Sequence, residues 1–443
     1  NLRLVYAMRQ LGKGYSGAVT LAKVMNMPPP PWHSAYHKIS AKLCRAAEKV
    51  ASKSMMNAAA EVRCVVRGTE CGVSGDGTWQ RRGHSSLNGC VSLISIDTGK
   101  IIDVEGMSSK CRACHSKSKL SPTSAEFLEW KANHTQCQAN YTGSAGGMEA
   151  VGLYRMFERG ERRHGLKYVD FYGDGDSKSH AAIKDIYGPN IVRKLECIGH
   201  VQKRVGNRLR KLKKAVRGLG GKGKLTDVLI DRLQNYYGIA IRANVGDLQA
   251  MKQATLASLF HCSSTEEIPR HGLCPLGPEI WCGFNRRIAV GRGSYKHKGG
   301  LSNEVLNKVK PVYADLCTDE LLKKCLHGKT QNANESFNGI IWQRVPKDVH
   351  VSLPILLFGL YDAVCHFNDG NKSVANILRE AGIKPGHHTI LACYTRDQQR
   401  VKKAQRQSTG EEKQHRKKRR AATKARREHV ASKEGPSYEP GGF

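Results

Sequence analysis

Two strand-like runs in this chain close on the same pair of residues, and that repeated ending constrains the fold more than any other feature. Asp76-Gly77 lies in GDGTWQRRG and Asp174-Gly175 in YVDFYGDGDSKS. A third acid, Glu335 in NANESFNGIIW, sits in a run with helical character. Asp-Gly is a common turn dipeptide, so either aspartate alone reads as an ordinary strand-end turn. Carboxylates far apart in sequence, on two strands and a helix, meet a stricter demand. Two divalent cations held roughly 3.5–4 Å apart for phosphoryl transfer need hard oxygen ligands converging from several elements. The pattern predicts that Asp76, Asp174 and Glu335 are catalytic and hold two magnesium or manganese ions. Asp176, two residues past Asp174, is an alternative ligand.

The order of elements agrees with an α/β fold. Residues 1–65 read as helical, interrupted at Pro28–Pro31, with Ile39, Leu43, Ala46 and Val50 at near-helical spacing. Strand-like runs follow at 71–79, 89–96 and 100–105, the last two joined by the turn Asp97-Thr98-Gly99. Met148, Val151, Tyr154 and Phe157 then mark a helix, and Tyr168–Gly173 a further strand. Strand, strand, strand, helix, strand is the order of an RNase H-like core, a mixed sheet with flanking helices in which the first and fourth strands lie side by side. The expected regions are helical 1–65, first core part 66–185 with a Cys/His insertion at 106–140, a mainly helical basic insertion 186–330, and last core part 331–395 with the catalytic helix. A basic tail, 396–443, completes the chain. Residues 401–434 hold 13 Lys/Arg against 4 Glu with almost no large apolar side chain, which predicts a solvated or disordered stretch there.

Lys and Arg outnumber Asp and Glu by 72 to 38, a net charge of +34. Such charge gives salt-dependent affinity for a polyanion. Charge alone does not say which polyanion. Nucleic acid is the expectation, and the competing partner, an anionic membrane, is supported by no amphipathic anchor or lipidation motif. The most apolar run, Val351–Leu360, is broken by Ser352, Pro354 and Gly359 and reads as core, short of the ~20 apolar residues that span a bilayer. No segment reads as a signal peptide, and a start at Asn1 rather than Met leaves open that amino-terminal residues are missing. Fifteen cysteines, an odd number and partly in close pairs, imply reduced thiols with metal use in the nucleus or cytosol.

Cys111-x2-Cys114 and His134-x2-Cys137 have the spacing of a closed, structural zinc site with three thiolates and one imidazole. His261, His271, Cys274 and Cys282 form a second, less regular cluster, with Cys262 as a competitor; buried thiols are the expectation there, and a zinc site is the alternative. Cys197-x2-His200 introduces the densest basic run: Lys203, Arg204, Arg208, Arg210, Lys211, Lys213, Lys214 and Arg217, eight cations in fifteen residues without an acid. A helix cannot turn all of them to one face, but enough point outward to follow a phosphate backbone, with His200 beside them. Gly218 to Gly223-Lys224 approaches a phosphate-binding loop, yet Leu225 stands where Ser or Thr must bind magnesium, so nucleotide binding is rejected. Lys417–Arg420 with Arg426-Arg427 reads as nuclear localisation or nonspecific DNA binding.

Taken together these motifs resemble the Mutator-like transposase domain of animal DNA transposons, a member of the DDE group. The resemblance spans roughly residues 5–395 and rests on MNMPPPPW, GDGTWQRRGHSS, NYTGSAGGMEA, YGDGDSK, CIGHVQKR, LTDVLIDRLQNYYG, HGLCPLGPEIWC and NESFNGIIWQRVPK. It implies an RNase H-like core interrupted by a helical insertion before its last acidic helix. It also implies Asp76, Asp174 and Glu335 as metal ligands, and a C-x2-H pair whose histidine lies near the active site and DNA. Double-stranded DNA, as transposon ends and target, is the implied partner and substrate, and a homo-oligomer is expected by analogy. A domesticated or inactive DNA-binding nuclear protein is the alternative. A zinc-dependent RNA-binding protein would need aromatic stacking motifs that are not evident.

Overall fold

A computed structural model describes residues 1–81, 86–135, 137–173, 177–221, 224–291, 295–297, 300–347 and 349–434; side chains at 177, 417, 424 and 427–434 are excepted. Asp174 and Asp176 lie outside the described residues. The chain opens with α1 (Leu2–Gln10), α2 (Tyr15–Val24) and the long α3 (His33–Val66). Three strands follow, β1 (Glu70–Trp79), β2 (Asn88–Ser95) and β3 (Ile101–Ser108), then the short α4 (Arg112–Ser116) and α5 (Ala125–Asn133). Next come α6 (Met148–His164), β4 (Lys167–Gly173), α7 (Ser177–Ala181) and β5 (Arg193–Glu196). A helical stretch follows: α8 (Ile198–Ala215), α9 (Asp227–Ala243), α10 (Leu248–Cys262), α11 (Gly283–Ala289), α12 (Asn303–Leu316) and α13 (Asp319–Lys323). The chain continues through α14 (Asn332–Arg344) and α15 (Leu353–Asp369) to α16 (Lys372–Glu380), α17 (His387–Ser408) and α18 (Gly410–Glu434).

The five strands form one mixed sheet in the order β3-β2-β1-β4-β5. β1 pairs antiparallel with β2 and parallel with β4, so the first and fourth strands are neighbours, with Ser74 opposite Tyr172. All eight residues of β2 are buried, as a central strand covered on both faces requires. α6 covers one face: a side chain at Gly75 would meet the Phe171 ring at 2.6 Å and Leu153 at 2.7 Å, so this position needs glycine. Val73, Leu93, Met156, Phe157 and Phe171 are buried in that core. A second apolar core gathers Ile198, Val205, Leu233, Val309 and Leu316 from the helical stretch.

Residues 1–368 form one compact unit and residues 369–443 a second. In the second unit Asp397 accepts from the backbone amides of Asn371 and Lys372, at 2.9 and 3.1 Å, tying α17 to the start of α16. The basic tail is largely exposed in its described part. It is helical through Glu434, because Lys, Arg, Ala and Glu favour helix even where too little apolar surface exists to pack it. β5 is a strand the sequence pattern did not predict: its four residues, RKLE, are too few to show a period. Among the described residues no helix is long and apolar enough to cross a membrane.

One buried ion pair joins three helices. Arg344 at the end of α14 bonds to Asp362 of α15, with side chains 6% and 1% exposed. Tyr6 and Gln10 of α1 donate to the same carboxylate at 2.9 and 2.6 Å. Burial first, and then the neighbouring carboxylate, hold the Tyr6 hydroxyl well above its ordinary pKa, so it stays a donor. Removing one partner of such a pair strands the other charge in the interior, at about 3–5 kcal/mol. Asp362→Ala should lose about that much in denaturant unfolding, and Arg344→Met with Asp362→Leu together should lose much less. Equal losses in the single and double variants would contradict the ion-pair account.

Candidate functional site

Side-chain alternation on β1 builds the site. Successive residues of a strand point to opposite faces, and the face away from α6 carries Ser74, Asp76, Thr78 and Gln80. Each meets α14 or the segment after it. Ser74 Oγ donates to Asn334 at 2.7 Å, Asn338 Nδ2 donates to Asp76 Oδ2 at 2.7 Å, and Trp342 Nε1 donates to Thr78 Oγ1 at 2.8 Å. Gln80 Nε2 continues the series to the Pro346 carbonyl at 2.9 Å. The partners advance by two on the strand and by four on the helix. Two strand residues rise about 6.6 Å and four helical residues about 6.0 Å, so the two elements stay in step. Asn334 is fully buried, so its bonds to Ser74 are ones the fold cannot leave unmade.

Glu335 lies in the first turn of α14, one residue past Asn334 and three before Asn338, and is exposed. An acid there is also favoured by the amino-terminal end of the helix dipole. The structure thus brings the strand carrying Asp76 and the helix carrying Glu335 into direct contact. Gln331, just before α14, donates to the carbonyls of Gly75 on β1 and Tyr172 on β4, at 2.9 and 3.2 Å. The middle of β1, the end of β4 and the helix start therefore meet at one glutamine.

Sequence reasoning missed Glu149. It stands in the first turn of α6, against Gly77: a side chain there would lie 2.9 Å from its Oε2. Ser179 of α7, three residues beyond Asp176, donates to Glu149 Oε1 at 2.8 Å. A fourth carboxylate therefore adjoins the residue after Asp76. Its signal was present in GGMEA but was absorbed into the apolar helix pattern. Gln331 and Asn338 were missed for a different reason: neutral amides carry no metal-ligand signature.

Cys197, the residue before α8, accepts from the Gln331 amide through Sγ at 3.3 Å, so the C-x2-H pair adjoins the start of α14. His200 lies in the first turn of α8. The basic residues of α8 divide into two groups. Arg204 pairs with Glu196 at 2.6 Å, Arg208 with Asp315 at 3.1 Å, Arg210 with Asp231 at 2.5 Å and Lys213 with Asp227 at 3.1 Å. Lys203, Lys211 and Lys214 are exposed on one side of the helix and, among the described residues, have no ion-pair partner. Acids far away in sequence thus claim half of a run that contains none itself.

The Cys/His insertion leaves and rejoins the sheet at one point. Asn140 takes the Ser108 amide at 2.8 Å, and its own amide donates to the Ser108 carbonyl at 3.0 Å. Neither α4 nor α5 buries a residue, so the excursion has no apolar core to hold it. Cys111, Cys114, His134 and Cys137 instead place their ligand atoms within 4.8 Å of one another. With Zn–S about 2.3 Å and Zn–N about 2.0–2.1 Å, tetrahedral edges come to ~3.4 Å between nitrogens, ~3.6 Å from nitrogen to sulfur and ~3.8 Å between sulfurs. His134 Nε2 is 3.5 Å from both Cys111 and Cys114 Sγ, and Cys114 Sγ is 3.5 Å from Cys137 Sγ. The residues fit a zinc ion. Burial opposes ionisation of Cys111, but bonds from the Cys114 and Gln138 amides outweigh it and pull the thiol down to about 6. Burial, and then its thiol neighbours Cys137 and Cys111, push Cys114 up to about 12; a bound cation reverses that order and deprotonates it. His261, His271, Cys274 and Cys282 converge as well, whereas Cys262 is not part of that group.

No curated protein matches the chain. The family match begins at residue 1, takes in all five strands and α8, and ends at Cys282, before α14. Residues 1–282 of 443, well over half, match the Mutator-like transposase family, and the chain belongs to it.

Proposed function

We propose that this chain is a DDE transposase that cleaves DNA at transposon ends and joins them to target DNA. The observation that carries this reading is the bond from Asn338 on α14 to Asp76 on β1, which holds the Glu335 helix against the first acidic strand. Ser74 is paired with Tyr172, and Asp76 and Asp174 each follow two residues later in the sequence. The order β3-β2-β1-β4-β5 supports reading the sheet as an RNase H-like core. Asp76, Asp174 and Glu335 would hold two Mg2+ or Mn2+ ions, with Asp176 and Glu149 close by in sequence or space.

The ions supply activation of the attacking oxygen and charge neutralisation at the leaving oxygen. Asn338 fixes the Asp76 carboxylate through one oxygen, so the ligand is oriented before DNA arrives. In the first step a water oxygen bonds to phosphorus, the P–O3′ bond breaks, and the freed 3′-oxygen takes a proton. In the second, that 3′-hydroxyl attacks a target phosphodiester and one P–O bond replaces another. No side chain need serve as general base. Lys203, Lys211 and Lys214 offer the phosphate-facing cations of α8, and the basic run in α18 suits nuclear import.

Glu335→Gln and Asp76→Asn should each abolish Mg2+- or Mn2+-dependent nicking of supercoiled plasmid, by at least about a thousandfold, while DNA binding persists. Full nicking in either variant would overturn the triad. Failure of the wild-type chain to nick, with salt-sensitive binding intact, would point to a transposase-derived binding protein instead. Replacing Lys203, Lys211 and Lys214 by Ala together should flatten the slope of log K against log[salt] by about 0.9 for each phosphate no longer neutralised. An unchanged slope would place the DNA on another surface.

A further inference from the structure

We propose a second structural zinc site in the helical stretch, formed by His261, His271, Cys274 and Cys282. The four come from three separate pieces of chain. His261 is in the last turn of α10, His271 and Cys274 lie in the segment after it, and Cys282 directly precedes α11. Their ligand atoms all lie within 4.8 Å of one another. His261 Nδ1 and His271 Nδ1 are 3.2 Å apart. Cys274 Sγ is 3.7 Å from the first and 3.8 Å from the second, and Cys282 Sγ is 3.5 Å from His271 Nδ1. A tetrahedral zinc with two imidazoles and two thiolates has edges of ~3.4 Å between nitrogens and ~3.6 Å from nitrogen to sulfur. The measured separations reproduce both.

The surroundings orient the donors. His271 Nε2 lies 3.0 Å from His297 Nε2 and 2.9 Å from Ser264 Oγ. A proton on Nε2 can be donated to one of these acceptors and leaves the Nδ1 lone pair facing the other three donors, the arrangement of a metal-bound histidine with an outer hydrogen bond. The Glu266 carboxylate is 3.2 Å from His297 Nδ1, off the hydrogen-bond line but close enough to favour a proton there, which frees His297 Nε2 to accept. Asn285, buried in α11, donates from Nδ2 to the carbonyls of His271, Cys274 and Pro275 at 3.4, 3.3 and 3.1 Å, holding the backbone turn that carries two of the ligands.

Hydrogen bonding among the four does not account for the cluster equally well. One lone pair on His271 Nδ1 faces His261, Cys274 and Cys282 at once, and it can accept from only one or two of them in good geometry. A cation at the centre satisfies all four donors. Mixed nitrogen and sulfur ligands in a tetrahedron select zinc among the common divalent ions. With every ligand position supplied by protein, the ion is structural. It pins residues 263–282, which form no helix or strand among the described elements, to the end of α10.

The test is metal content of the purified full chain by plasma mass spectrometry, followed by cobalt exchange. Wild type should carry two zinc atoms per chain. Cys282→Ser and Cys274→Ser should each carry one, as should Cys111→Ser, and Cys111→Ser with Cys282→Ser should carry none. His261→Cys keeps four ligands, so it should retain both metals, and its cobalt form should gain thiolate charge-transfer absorbance over wild type. Wild-type stoichiometry in both Cys274→Ser and Cys282→Ser would overturn the proposal. So would a His261→Cys protein whose cobalt spectrum matches that of wild type.

Discussion

The candidate active site depends on one match of repeat lengths. Asn334, Asn338, Trp342 and Pro346 step along α14 and its exit at intervals of four, and Ser74, Asp76, Thr78 and Gln80 step along β1 at intervals of two. Because four helical rises nearly equal two strand rises, a single polar seam runs the length of the contact. An apolar seam would also bury surface but would permit sliding. Directional bonds fix the register, and a shift of one strand residue would turn Asp76 to the other face, toward α6. That register sets where Glu335 stands relative to Asp76.

Both ends of the seam are anchored. At its start Gln331 reaches β1, β4 and Cys197, and at its finish Arg344 is locked to Asp362, Tyr6 and Gln10. The anchoring matters because a long helical excursion separates β5 from α14 in the sequence. Its ends are stitched together: the Glu196 amide bonds to the Lys324 carbonyl at 3.0 Å, and the Ile198 amide to the Lys329 carbonyl at 3.3 Å. The Cys/His insertion closes in the same way at Ser108 and Asn140. Each excursion then carries a Cys/His cluster of tetrahedral spacing where regular packing runs out.

Much of this was legible in the sequence. The Asp76 run and three further strands sit within a few residues of their expected limits, because short strand-like runs bounded by turn residues are a local signal. The Cys111–Cys137 cluster was legible because close ligand pairs fix their own geometry. What escaped detection depends on distant partners. Asp315, Asp231 and Asp227 pair with α8 cations that seemed free. Glu149 reaches Gly77 only because α6 packs on β1. The cluster from His261 to Cys282 was seen but only weakly, since its irregular spacing is held by Asn285 and His297 rather than by a short loop. The helix of the tail left no apolar pattern to read, because low hydropathy excludes a core and does not exclude a helix.

The claim that Asp76 and Glu335 share one metal site can be tested without DNA. Fe2+ substituted for Mg2+, with ascorbate and peroxide, cuts the backbone beside the bound ion. The account predicts fragments ending near residues 76 and 335, suppressed by excess Mg2+ and absent in Asp76→Asn. Cleavage confined to other segments, or cuts at 76 and 335 that Mg2+ does not suppress, would contradict it.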